Sequence, residues 1–131
     1  MVAIAKNKYE NLNGIVLVNP AIKMLEVLER LEHFDYKKLN DDSIISINSN
    51  LNKFLSKRFL DDLHDNDLFS VDYKMKVPIK LVIGNEDDLI PKQDLIDFAN
   101  LTKCQCEYFD DGHCIKNEKS WARIVEIIKE L

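Results

Sequence analysis

The 131 residues are 46% hydrophobic and 31% charged, which is enough apolar material for one packed core and too much for a disordered chain. A formal charge of −5, with lysines scattered rather than clustered, gives no electrostatic footprint for nucleic acid or anionic lipid. No apolar run approaches the roughly 18 to 20 residues of a membrane span, and residues 1–5 are too short for a signal-peptide core, so a cytoplasmic location is the default expectation.

Residues 1–9 read as the end of a short helix, with Ala3 and Ala5 as helix formers and Lys6 and Lys8 near its C-terminus. No N-cap precedes them, so the helix reads as already in progress. Asn11, Leu12, Asn13 and Gly14 break it. Ile15, Val16, Leu17 and Val18 then form the continuous β-branched run of a parallel strand covered on both faces, ended by Asn19 and Pro20.

From Ala21 the period becomes helical. Ile22, Leu25, Leu28 and Leu31 recur every three residues beside Met24 and Val27, opposite Lys23, Glu26, Glu29, Arg30 and Glu32, which predicts about three turns. Turn chemistry at residues 33–36 and 40–43 surrounds the short run Ile44, Ile45, Ser46 and Ile47. A second amphipathic helix is expected next, with Ser49 or Asn50 as N-cap and Leu51, Phe54, Leu55, Phe59, Leu60 and Leu63 on its apolar face. The acidic stretch from Asp61 to Asp67 closes it, and residues 68–73 lead to the next strand.

Residues 79–83 are apolar apart from Lys80, and Pro78 stands at the first strand position, where a lost donor is tolerated. Pro91 opens a helix with Leu95, Phe98, Ala99 and Thr102 on one face, and residues 105–109 form a third strand. Asn117 caps a last helix with Trp121, Ile124, Val125, Ile128 and Leu131 at helical spacing. Phe54, Phe59, Phe98 and Trp121 are assigned to core faces, and His33 and His64 to the surface. Strands alternating with helices predict an α/β protein: a three-layer single domain over 1–131 with a short parallel sheet of about three strands and right-handed crossovers.

Cys104, Cys106 and Cys114 are odd in number and crowded around one strand, which is not a disulfide framework. With His113 they make a metal set on paper, but Cys-x-Cys lacks the two-residue gap usual in structural zinc sites. They are read as ordinary buried or half-buried thiols, and no metal or cofactor is expected.

The chemistry concentrates at two strand ends. Asp87 follows the strand at 79–83, and His113 follows the strand at 105–109; in an open parallel sheet both would reach the same C-terminal rim. Singly each has a plain alternative. Asp87 sits in the acidic turn Glu86, Asp87, Asp88 and could be solvated or cap the next helix, while His113 after Gly112 could be a turn histidine bonded to nearby backbone. Together they suggest two thirds of an Asp-His-nucleophile relay.

Gly84-x-x-Asp87-x-x-Ile90-Pro91 after an apolar strand, followed by Gly112-His113 and an amphipathic helix, resembles the end of an α/β-hydrolase, the serine esterase and lipase superfamily. The run from Ile15 through Asn19, Pro20 and Ala21 is similar to the strand that follows the nucleophile segment in that family. The resemblance implies that Asp87 is the triad acid, that His113 is the general base, and that residues 21–75 occupy the place of a variable helical cap. It covers nearly the whole chain.

One part of the pattern is missing. The family's serine sits in a Gly-x-Ser-x-Gly elbow, and none of the three glycines, Gly14, Gly84 and Gly112, brackets a serine. The chain thus reads as starting just after the nucleophile. Three expectations follow: the C-terminal part of a serine esterase that acts on a small-molecule ester when completed by an N-terminal half; a non-catalytic binding or assembly module; or a small doubly wound ligand-binding domain. The strand at 15–18 carries no charge to protect its edge, so self-association or pairing with another chain through that edge is expected.

Overall fold

A computed structural model describes residues 12–47, 53–70 and 77–131. The helix expected at 1–9, the cap at Ser49 or Asn50, Leu51, and the lead-in at 71–73 lie outside these residues. The chain divides into two compact units, one formed by residues 1–22 and 71–131 and the other by Lys23–Ser70.

The first unit is built on a parallel sheet of three strands, β1 (Ile15–Val18), β4 (Ile79–Gly84) and β5 (Gln105–Phe109), with β4 in the centre. Ile15 pairs with Ile79, and Lys80 pairs with Gln105. Leu81, Val82 and Ile83 are completely buried, as a strand covered on both faces must be. Alternation sends Val82 to one face, where it meets Ile124 and Ile127 of α4 (Glu118–Lys129), with Val16, Val18, Phe109 and Ile115 packed around them. Leu81 and Ile83 point to the other face, where the crossover helix α3 (Lys92–Thr102) lies against β4 and buries Leu95, Phe98 and Ala99. The α/β fold with a three-stranded parallel sheet flanked by helices is therefore present.

Lys80 is the one charge inside β4. Its stem crosses the α4 face and its ammonium meets Glu130 at 2.5 Å, so the apolar part is covered while the charge stays paired. On the same face the Arg123 guanidinium spans Glu107 of β5, Glu126 of α4 and Glu130 at its C-cap. Those carboxylates hold Arg123 protonated well above the usual guanidinium range.

The α4 face differs from expectation. The buried stripe is Ser120, Ile124 and Ile127, whereas Trp121, Val125 and Ile128 are 52%, 46% and 56% exposed. Both sets fit helical spacing, and the one that packs on Val82 of β4 is Ile124 and Ile127; Asn117 caps the helix by accepting from Lys119 N–H at 2.9 Å. Trp121 is steadied from outside the core by donating its indole N–H to the Ile115 carbonyl at 3.1 Å.

The second unit contains α1 (Met24–Glu32), the antiparallel pair β2 (Ile44–Ile47) and β3 (Lys53–Ser56), and α2 (Lys57–Asp65). The expected second helix is thus half strand. Phe54 and Leu55 lie on β3, where Leu55 pairs with Ile45 and Phe54 with Ser46, and Phe54 and Phe59 are exposed rather than in a core. A short apolar run fits either period, and pairing with residues 44–47 wins before Ser56 starts the helix by accepting from Phe59 N–H. Residues 21–75 are therefore not purely helical. His33 is exposed in the left-handed conformation that ends α1. His64 is also exposed and stacks on Tyr36, whose hydroxyl donates to Asp61 at 2.5 Å.

Gly84 closes β4 where a side chain has no room: a Cβ there would lie 2.6 Å from the Asp111 carbonyl oxygen and 2.7 Å from that of Gly112. Backbone cannot rotate aside as a side chain can. Gly84→Ala is expected to destabilise by about 1–3 kcal/mol, the usual cost of overpacking. Gly112→Ala, whose nearest neighbour would be at 3.6 Å, should stay within about 0.5 kcal/mol. Urea unfolding of both variants checks this, and equal effects would show that the close approach at Gly84 carries no weight.

Candidate active site

Backbone hydrogen bonds carry the β4–β5 pairing past the ends of the strands. Asn85 N–H donates to the Phe109 carbonyl at 2.7 Å and Glu86 N–H to that of Asp111 at 3.0 Å. The loop bearing Asp87 and the loop bearing His113 are thereby fastened side by side at the C-terminal rim of the sheet.

Asp87 lies in a tight turn that its own side chain builds. Oδ1 accepts from Leu89 N–H at 2.9 Å and Ile90 N–H at 3.0 Å, and Ile90 is buried below. This leaves Oδ2 aimed at His113 Nδ1, 3.0 Å away across 26 residues of chain. The carboxylate is 2% exposed and the imidazole 34% exposed. A carboxylate can only accept, so this contact is a hydrogen bond in the tautomer that carries the hydrogen on Nδ1, which leaves Nε2 without one in the neutral ring. The structure thus brings together the two residues singled out in the sequence, within hydrogen-bond reach.

Two buried polar residues at this rim, Asn19 and Asp111, are not among the site residues expected from the sequence. Asp111 accepts from Lys116 N–H at 3.1 Å and Asn117 N–H at 3.2 Å, folding the loop after His113 back onto the start of α4. Asn19, at the end of β1, donates to the carbonyls of Gly112 and His113. A buried Asp or Asn beside a strand end was the available signal, but burial is invisible in a lone sequence.

His113 borders a cavity of about 390 Å³ shared with Glu86, Asp88, Asp111, Gly112, Cys114 and Lys116. The three cysteines are free, with Cys104 and Cys106 half-buried and Cys114 exposed. Burial raises the Cys106 thiol above its ordinary pKa, with help from neighbouring Cys104. Among the described residues no cluster of three or more His, Cys, Asp or Glu side chains is placed to hold a metal ion, and no helix is long and apolar enough to cross a membrane.

Solved structures resemble this chain over 98% of its length. An Agrobacterium vitis S4 protein provisionally assigned as a hydrolase superposes with a TM-score of 0.70 at 17% identity, with 54% of its own chain covered. Est1E from Butyrivibrio proteoclasticus gives 0.65 at 17% identity over 55% of its chain, and its complex with ferulic acid gives 0.72 at 18% over 53%. The chain spans about half the length of these structures. No family model and no curated protein sequence matches it. The fold is the α/β-hydrolase fold of these structures, matched over about half of their length.

The anchoring of the histidine loop has a pH signature. Asp111 lies below its ordinary pKa of 3.8, chiefly because Lys116 N–H holds the charged form; Ser120, Asn117 and Gly112 add to this and burial opposes it. A depressed folded pKa gives stability that is fully present above the unfolded value and lost as pH falls through the folded one. Asp111→Ala should therefore be less stable than wild type at pH 7, with the gap narrowing below pH 3.8. Thermal unfolding at pH 7 and near pH 3 tests this, and a gap that ignores pH would exclude a role for the charge.

Proposed function

We propose that these 131 residues supply the acid and the base of a serine hydrolase acting on carboxylic esters, with Asp87 orienting and His113 serving as general base. The observation that carries this reading is the 3.0 Å contact between Asp87 Oδ2 and His113 Nδ1, with Oδ1 already held by two backbone N–H groups. In that role Nε2 takes the proton from a serine hydroxyl as its oxygen attacks the ester carbonyl, then returns it to the departing alcohol oxygen. Asp87 stays ionised throughout and stabilises the imidazolium that forms between these steps. The hydrolase and esterase folds of the structural neighbours support the reaction class. The serine would come from a segment outside these residues, since they hold no Gly-x-Ser-x-Gly.

Hydrolysis of p-nitrophenyl esters tests the proposal. The 131 residues alone should not exceed background. Joined to a segment that provides the serine elbow, they should turn over, with kcat falling on the order of 10⁶-fold in His113→Ala and about 10⁴-fold in Asp87→Ala, as in a serine relay. Turnover by the isolated chain, or a completed enzyme indifferent to His113→Ala, would refute it.

A second reading, an assembly module without activity of its own, draws on a different observation. The outer edge of β1 has no strand partner among the described residues, and α4, which contacts β1, exposes Trp121, Val125 and Ile128 as one stripe. An unpaired apolar strand and an exposed apolar stripe are each features through which chains pair. Both readings propose the same partner, an N-terminal half of the fold, with at least about 1,000 Å² buried in total. Sedimentation equilibrium is expected to show association with that half or, in its absence, self-association. A stable monomer with the Val16 and Leu17 amides protected from exchange would mean that the edge is already covered.

A further inference from the structure

We infer that Asn19 is the positioning residue of His113, an assignment that rests on reading His113 as the base. Asn19 is 3% exposed and ends β1 with φ at 41°, in the left-handed region that Asn tolerates better than most residues. Its Oδ1 accepts from Gly84 N–H at 2.7 Å. Its Nδ2 donates to the Gly112 and His113 carbonyls, each at 2.9 Å. One amide thus joins the ends of β1 and β4 to the main chain of the histidine itself.

The chemistry of those three partners permits no other side chain of this size. An N–H requires an acceptor and two carbonyls require two donors, which fixes the amide's orientation and matches Asn alone. Asp would accept but not donate; Ser has one proton to give. The other anchors act elsewhere: Asp111 holds residues 116 and 117, and Asp87 holds the ring. Among the described residues, Asn19 is the side chain bonded to His113's own carbonyl. His113 is gripped at two points, its main chain by Asn19 and its Nδ1 by Asp87. With the first grip gone, the main chain of His113 loses the side chain that ties it to the ends of β1 and β4.

The test is the ring tautomer, read by long-range ¹H–¹⁵N correlation on the 131-residue chain. Wild type should hold His113 in the Nδ1-protonated form, which free imidazole does not prefer. Asn19→Asp keeps the shape and the acceptor but removes both donors; Asn19→Gly keeps the left-handed backbone and removes the amide. Both should shift His113 toward a mixture of tautomers while the methyl signals of Leu81, Ile83 and Ile127 stay native. An unchanged tautomer in either folded variant overturns the inference. Should both variants fail to fold, Asp87→Ala decides: the Asn19 side-chain amide protons should keep distinct, slowly exchanging signals. Their collapse would show that the Asn19 bonds follow from the Asp87–His113 pair and would also overturn it. In the completed enzyme Asn19→Asp should lower kcat on the order of 10²-fold with KM little changed. A tautomer shift in a protein that never hydrolyses esters would count for the positioning role and against the catalytic reading, so the two failures remain distinct.

Discussion

The site depends on how closely two strand ends approach. β4 finishes on Gly84 with its α-carbon against the carbonyls of Asp111 and Gly112, a contact that leaves no space for a methyl group. Only this lets the Asn85–Phe109 and Glu86–Asp111 backbone bonds form beyond the regular sheet. With those bonds made, the two loops run together, and a carboxylate on one lies within reach of an imidazole on the other. A wider rim would place the same two residues in solvent with nothing to hold them.

Burying a carboxylate is costly unless its lone pairs are used. Asp87 uses three: two on the N–H groups of Leu89 and Ile90 and one on His113. The backbone bonds are the ones that fix direction, because they consume one oxygen and leave the other a single open approach. The His113 side chain remains a third exposed while its Nδ1 is held. The division is the one the proposed roles require: the carboxylate read as the orienting acid is buried, and the imidazole read as the base is not.

The three sheet strands were legible because β-branched runs bounded by Gly, Pro and Asn rarely mean anything else, and the observed ends of β1 and β5 match the expected ones. Asp87 and His113 were legible through their spacing after those strands. The β2–β3 pair was not, because Phe54 and Leu55 suit a helix as well as a strand and the deciding partner lies in β2. The α4 face was misjudged for a similar reason: two apolar stripes share one helix, and the sequence does not rank Ile127 above Ile128. Asn19 and Asp111 were hidden more deeply. Asn19 reads only as the end of a strand and Asp111 carries no signal of its own, and only the folded chain reveals that each is buried with its polar atoms used.

The anchors divide into local and distant ones, and the division bears on how the site forms. Asp87 is oriented by residues two and three positions further on, and the loop after His113 by Asp111 a few positions earlier. Such bonds need little loop closure and can form as soon as the turns do. Asn19 is 93 and 94 residues from the carbonyls it holds, so its bonds exist only once β1 has paired with β4. Local chemistry therefore shapes each loop, and completion of the sheet sets one loop against the other. The Asp87–His113 pair cannot take up its observed geometry in a partly folded chain, because the main chain of His113 is held only after β1 has docked on β4.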